Sequence, residues 1–253
     1  MTTVLKLGGS LLTEKDAPET VDDRALGDAL DAVADAWTRG SSEGGSDDRL
    51  VLVHGGGSFG HHHASAWGVS TTAGTHEAAA VRDVHRAMTA LNDRVIDESL
   101  DRDVPAVPVR PLSVAARDAD GDLSLPLDST RTLLGEGFVP VLHGDGVAHS
   151  GAGVTVLSGD ELVVRLARDL GADRVGTCST VPGVLDDAGD VIPRIDSYEA
   201  VADLLGGSEA TDVSGGMAGK VRTLLDLPSP AFVFGPDGLR EFLGGGEPGT
   251  RIG

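Results

Sequence analysis

The sequence predicts a parallel α/β fold, on three observations. Two short apolar runs of strand length, Val4–Leu7 and Leu50–Val53, each lead directly into a glycine cluster. A segment of helical period lies between them, with Leu26, Leu30, Val33, Ala34 and Trp37 on one face. Strand-like and helix-like segments go on alternating through most of the chain, which is the pattern of a sheet joined by crossover helices.

Taken in order, Val4–Leu7 reads as a buried strand closed by the tight turn Gly8-Gly9. The first helix starts behind the cap candidates Thr20 and Asp22 and is expected to stop at Gly40, followed by a polar loop to Arg49. The second strand, Leu50–Val53, runs into His54-Gly-Gly-Gly-Ser-Phe-Gly-His61, expected to be a glycine loop. Val81, Val84, Met88, Leu91 and Val95 mark a long helix over 75–100, and Val104–Val109 and Phe138–Leu142 are the next strands. A helix over 160–170 then leads into a strand at Arg174–Thr177. Gly183–Ile192 reads as an antiparallel hairpin on the parallel sheet, turning at Asp187–Gly189. Without an internal repeat or linker, residues 1–253 are expected to form one domain, with an N-terminal lobe over about 1–150 and a C-terminal lobe over about 151–253.

The charge balance excludes several partners. Forty acidic residues against 20 basic ones give a net charge of −20, so nucleic acid is not an expected partner. The acids are spread along the chain, as in the acid-coated proteins of salt-loving archaea, where screening over about 3 Å at molar salt relieves self-repulsion. No run of eighteen apolar residues suggests a membrane span, and Met1–Lys6 lacks the basic start and apolar core of a secretory signal. A soluble cytoplasmic protein is expected. The single cysteine, Cys178, rules out an internal disulfide and reads as a small buried residue.

Lysine usage points to the chemistry. The chain holds 17 arginines but only three lysines, Lys6, Lys15 and Lys220, each inside or beside a glycine-rich segment. A lysine kept where arginine is otherwise preferred supplies a compact point charge, suited to a phosphate. The glycine-rich segments are Lys6-Leu-Gly-Gly-Ser10, His54–His61 and Ser214-Gly-Gly-Met-Ala-Gly-Lys220. Glycines let backbone amides approach a phosphate closely. A G-x-x-x-x-G-K-[ST] loop is absent, because Lys220 is followed by Val221.

Four motifs carry a family resemblance: Lys6-Leu-Gly-Gly-Ser-Leu-Leu-Thr-Glu-Lys15, His54–His61, Leu157-Ser-Gly-Asp-Glu-Leu162 and Asp212-Val-Ser-Gly-Gly-Met-Ala-Gly-Lys220. In this order they resemble the isopentenyl phosphate kinases of the amino-acid-kinase superfamily. The resemblance implies a three-layer αβα sandwich with an open, mostly parallel central sheet, the ligands lying over the carboxyl ends of the strands. It also implies ATP-dependent phosphorylation of isopentenyl phosphate for isoprenoid biosynthesis, with Mg²⁺ and a homodimer.

What the resemblance implies for single residues is specific. Lys6 and Lys220 would hold the β- and γ-phosphates, and Lys15 would stabilise the transferring group. ATP would also meet Leu7, Gly8, Gly9, Ser10, Gly57 and Gly216, while Gly56, His61 and Gly159 would hold the acceptor phosphate. Asp160 would orient Lys6 and Lys220; on the residues alone it reads equally as an N-cap. No general base is assigned, because the acceptor phosphate is already ionised. No protein metal ligand is expected either. The run His61-His62-His63 lacks companion ligands at suitable spacing, so His62 and His63 read as loop residues and His54 as packing beneath the glycine turn.

Other acceptors are open on the same scaffold: carboxylates, carbamate, nucleoside monophosphates, and phosphonates such as fosfomycin. A non-catalytic nucleotide sensor is the alternative from another class. The helix around Val81–Met88, with Trp67 and Val69, is expected to line an apolar pocket for a five-carbon tail. Ser179-Thr-Val-Pro-Gly183 replaces the family's T-D-x-D-G pattern, which leaves nucleobase preference open.

Overall fold

A computed structural model describes residues 1–42, 48–205 and 216–253. The first strand, β1 (Thr2–Leu7), turns into the short helix α1 (Gly9–Leu12). Helix α2 (Asp23–Ser42) follows, capped by the Asp22 carboxylate, which accepts from Ala25 N at 2.9 Å. It runs past Gly40, the expected stop, because one glycine costs a helix only about 1 kcal/mol.

Strand β2 (Arg49–His54) leads into α3 (Gly57–Ala66), then α4 (Ala78–Leu100) and β3 (Ala106–Pro108). Helix α3 corrects the expected loop. His61, His62 and His63 lie on this helix, which Gly57 enters at φ +48° and which packs closely enough on α4 that a Cβ at Gly60 would fall 2.6 Å from Met88 Sδ. Tertiary packing there overrides weak helix propensity.

Next come β4 (Ala116–Arg117), β5 (Leu123–Ser124), α5 (Asp128–Gly135), β6 (Val139–His143), β7 (Asp145–His149) and β8 (Gly153–Leu157). The chain continues through α6 (Gly159–Leu170), β9 (Arg174–Cys178), β10 (Arg194–Ile195), α7 (Ala202–Leu205), α8 (Gly216–Leu225), β11 (Ala231–Phe234), α9 (Leu239–Leu243) and β12 (Thr250–Ile252).

Among the described residues the main sheet has eight strands in the order β10-β12-β11-β9-β1-β2-β6-β3. Every pairing in it is parallel except β11 with β12. Apolar residues fill both faces, one layer around Val4, Val51, Leu162 and Leu166 and the other around Leu5, Leu30, Leu52 and Phe232. Such two-sided burial is what the continuous apolar strands require. A smaller sheet, β5-β4-β7-β8, was not expected. The hairpin over 183–192 exists as a Leu185–Val191 bridge, but it stands outside both sheets.

Registry places the site. Leu7 pairs with His54 and with Cys178, His54 with His143, and Cys178 with Phe234, so five strands end level. The glycine turns and several helix starts rise from that one edge.

Candidate active site

Lys6 is the penultimate residue of β1, 8 % exposed at the centre of the sheet. Its Nζ donates to Asp160 Oδ1 at 2.7 Å. Asp160 sits in the first turn of α6, whose start is fixed by Ser158, the N-cap, accepting from Glu161 N at 3.1 Å. Lys220 on α8 brings its Nζ to 3.8 Å from the same carboxylate oxygen. The N-cap reading of Asp160 is corrected: Ser158 is the cap, and Asp160, within the first turn, faces two ammonium groups with its side chain.

Burial alone would raise the Asp160 carboxyl. The charges of Lys6 and Lys220, with the Lys6 hydrogen bond, outweigh burial and hold it below the usual carboxylate range. A partly buried trio of charge +1 results, a ready receptor for polyphosphate. A Cβ at Gly159 would lie 3.1 Å from Lys6 Cε, so the missing side chain is what lets α6 close on the lysine.

The first two glycine segments interlock. A Cβ at Gly9 would collide with Gly57 N, and one at Gly57 with Thr13 Oγ1. Thr13 bridges the turns: its hydroxyl donates to Gly9 O at 2.8 Å and accepts from Ser58 N at 2.9 Å. Backbone amides of both turns are thus held within one small region at the strand ends.

Beneath this region His54 and His143 stack at 5.4 Å between ring centroids. His54 Nδ1 donates to Gly55 O at 3.1 Å, leaving Nε2 to accept from Asn92 Nδ2 at 3.1 Å. Burial, with the neighbouring His143, pushes His54 down to about 3, so it stays neutral. The expected packing of His54 under the glycine turn is what the structure shows. Asn92 and His143 escaped notice because nothing in their local sequence marks them.

Lys15 and His61 do not touch the lysine–aspartate trio. Lys15 is exposed on the loop between α1 and α2, with no ion-pair partner among the described residues, and His61 is exposed on α3. Ser10 is also exposed, and Leu7 and Gly8 are buried at the end of β1. Gly56 precedes α3, and Gly216 opens α8 at φ +61°. The motif residues 212–215 lie outside the described residues.

His63 is a second correction. Its ring is pinned by Glu19 at 2.7 Å and Asp83 at 2.8 Å. The residues expected to line a tail pocket divide between core and surface. Met88 is buried with Phe59, Ala87 and Leu91, its sulfur under Gly56 and Gly60, whereas Trp67 is 44 % exposed and donates to Asp83.

A sheet-end site with paired lysines on one carboxylate defines a phosphotransferase scaffold, and the chain belongs to the amino acid kinase family, whose model matches residues 1–227. Within that family it sits among the isopentenyl phosphate kinases. It is 60 % identical over 249 residues to the isopentenyl phosphate kinase of Haloferax volcanii, covering 98 % of this chain and 97 % of that one. The isopentenyl phosphate kinase of Methanocaldococcus jannaschii is 32 % identical, with 92 % and 90 % covered. A crystal structure of an isopentenyl phosphate kinase superposes with a TM-score of 0.82 at 28 % identity, covering all of both chains.

Proposed function

We propose that this chain transfers the γ-phosphoryl group of ATP to the phosphate of isopentenyl phosphate, giving isopentenyl diphosphate and ADP. The observation that carries the reading is the Lys6–Asp160–Lys220 trio beside two interlocked glycine turns at the ends of the central strands. Near-full-length similarity to kinases of that name supplies the acceptor.

In the reaction an ionised oxygen of the acceptor phosphate attacks the γ-phosphorus in line. An O–P bond forms, the bond to the β,γ-bridging oxygen breaks, and the electron pair leaves with ADP. The barrier is largely the approach of two anions, so positioned cations and amides do most of the work and no base is needed. Lys6 and Lys220 hold the β- and γ-phosphates, with Asp160 fixing both ammonium groups. Lys15 follows the transferring group, and His61 donates to the acceptor phosphate. Amides of Gly9, Gly56 and Gly57 surround both phosphates, with Ser10, Gly159 and Gly216 beside them, while Gly8 N is committed to Cys178 O at 2.8 Å and serves to shape the turn.

The N-terminal lobe, about 1–150, carries the acceptor side together with the Lys6–Ser10 turn, and the C-terminal lobe, about 151–253, the rest of the nucleotide side. Mg²⁺ would be carried by ATP oxygens and water and would supply neutralisation of phosphate charge; Asp160, committed to two lysines, would orient them and not serve as its ligand. Among the described residues no helix is long and apolar enough to cross a membrane, and we place the enzyme in the cytoplasm as a homodimer. The dimer follows from the family likeness and is tested by light scattering in molar KCl.

The deciding experiment is coupled ADP release with ATP and Mg²⁺ in molar KCl, offering isopentenyl phosphate, fosfomycin, N-acetylglutamate or no acceptor. Turnover confined to isopentenyl phosphate supports the assignment. Thermal stabilisation by ATP without ADP release from any acceptor would replace it with the sensor.

A further inference from the structure

The loop that carries Lys15 is closed on itself and docked. Thr13 bridges Val21, and Glu14 N donates to Thr20 O at 3.0 Å. Its far side rests on α3, with Glu19 N donating to Ser58 O and Thr20 N to Ser58 Oγ, both at 3.4 Å. These two bonds are long and add little rigidity.

Glu19 adds a stronger tie. It adopts φ +48°, a region that residues other than glycine occupy only when their surroundings hold them there. From there its Oε1 reaches His63 Nε2 at 2.7 Å, while His63 Nδ1 lies 2.8 Å from Asp83 Oδ2 on α4. Carboxylates accept only, so a ring with one at each nitrogen is satisfied at both only as the imidazolium. The imidazolium then joins three elements: the Lys15 loop, α3 and α4.

We propose that His63 is a positioning residue for phosphoryl transfer, an ionic latch that holds the Lys15 loop against α3 and α4 through Glu19 and Asp83. The proposal rests on the assignment of Lys15 as the cation that follows the transferring group. His63 touches neither substrate and acts only through where it sets that cation. An exposed lysine on a loosely docked hairpin must be ordered before it can meet a phosphoryl group, and misplacement by about 1 Å costs on the order of 10²-fold in rate.

The surroundings favour the charged ring. Partial burial works against it, but the hydrogen bonds and charges of Asp83 and Glu19 prevail and raise its titration above the ordinary histidine value. The groups that face it are Glu19 from the loop, Asp83 and Arg86 from α4, and the edge of His62 from its own helix at 5.2 Å. Arg86 stands 3.8 Å from Glu19 and 3.9 Å from Asp83, and is 58 % exposed, so it offsets little of their charge. The sign follows: the latch is closed below that raised value, where the ring is charged and its carboxylate partners are ionised, and opens as pH rises through it.

The test compares the unaltered enzyme with His63→Ala, His63→Gln, Glu19→Gln, the His63→Ala/Glu19→Gln pair and Lys15→Ala, across about pH 6–9.5 in molar KCl, bracketing the histidine range. The expected result is a kcat lowered roughly tenfold in His63→Ala with KM for ATP unchanged, and an alkaline decline of kcat in the parent that disappears in the variant. The double variant falls no further than the worse single one, because both break one latch. Cleavage after Lys15 by a lysine-specific protease gives a readout apart from activity: it speeds up in His63→Ala and Glu19→Gln, and in the parent at high pH relative to a control peptide. If Lys15→Ala abolishes turnover while His63→Ala and His63→Gln keep the parental kcat, pH profile and cleavage rate, the latch is wrong and the Lys15 assignment stands. If Lys15→Ala retains turnover, that assignment fails and the catalytic role of the latch fails with it.

Discussion

Lys6 and Asp160 meet at 2.7 Å across 154 residues of sequence, and the same Asp160 oxygen stands 3.8 Å from Lys220. The carboxylate holds together two cations that would otherwise repel. Changing it to the neutral amide keeps the shape and removes the charge, leaving the two ammonium groups mutually uncompensated. Asp160→Asn is expected to lower kcat/KM by roughly 10²-fold and to raise KM for ATP. Parental kinetics in Asp160→Asn would show that the pairing is structural only.

For Lys15→Ala the expectation differs, since this residue is exposed and has no ion-pair partner among the described residues. Turnover falls by roughly 10²–10³-fold while ATP still raises the melting temperature as in the parent. Lys15→Arg restores only part, because a planar guanidinium does not replace a point charge. Loss of ATP binding in Lys15→Ala would move this residue from the transferring group to the ground-state nucleotide.

The glycine turns give a stability prediction with an internal control. Gly9→Ala and Gly57→Ala each force a methyl group into facing atoms, backbone at Gly9 and the Thr13 hydroxyl at Gly57, at a cost of roughly 1–3 kcal/mol and most of the activity. Gly27→Ala, within α2, meets only the Arg102 side chain at 3.4 Å and is expected to stabilise by about 0.5–1 kcal/mol. Thermal melts of the three variants decide it; equal melting temperatures would mean that the turns do not interlock.

Acid should destabilise the fold before the carboxylates titrate. Buried His54 stays neutral down to about 3, whereas the unfolded chain takes up that proton near pH 6.5. Its folded value is depressed, so stability is lost as pH falls below about 6.5. Burial likewise lowers His143, in spite of nearby Asp145. His63 and His85, whose values are raised, work in the opposite sense: each gains stability as pH falls toward the unfolded value, which offsets part of this loss. Urea midpoints at about pH 7 and 5, read in a His63→Gln/His85→Gln background that removes the opposing groups, test this, and identical midpoints there would contradict a neutral buried histidine pair.

With a net charge of −20, the melting temperature should climb with KCl as surface repulsion is screened. A flat response from about 0.1 to 2 M KCl would remove the link between composition and salt requirement.

Much of this architecture was legible in the sequence because its strands are buried on both faces. Runs such as Leu50–Val53 have one ready use, and the crossovers between them follow. What escaped was set by contact rather than by period. Helix α3 begins with glycine and carries three histidines, a weak helix former made helical by the fit of Gly60 against Met88. Strands β7 and β8 lie in a glycine-rich stretch whose pairing depends on a hairpin that no local signal announces. Among the site residues, Lys6, Asp160 and Lys220 stood out through their motifs. The Glu19–His63–Asp83 contacts join residues 44 and 20 positions apart, and His54 and Asn92 are 38 apart. No spacing rule connects such pairs; only the docking of one helix on another does.

The central place of β1 also bears on how the chain is made. β1 is flanked by β2 on one side and by β9 on the other, yet β9 is synthesised long after both. While the intervening chain emerges, the Thr3–Leu7 edge destined for Arg174–Cys178 stands uncovered, a largely apolar template for strangers. Until its own partner arrives, the nascent half-sheet is therefore at its most prone to pair with a foreign strand, and the delay is set by the length of chain between β2 and β9.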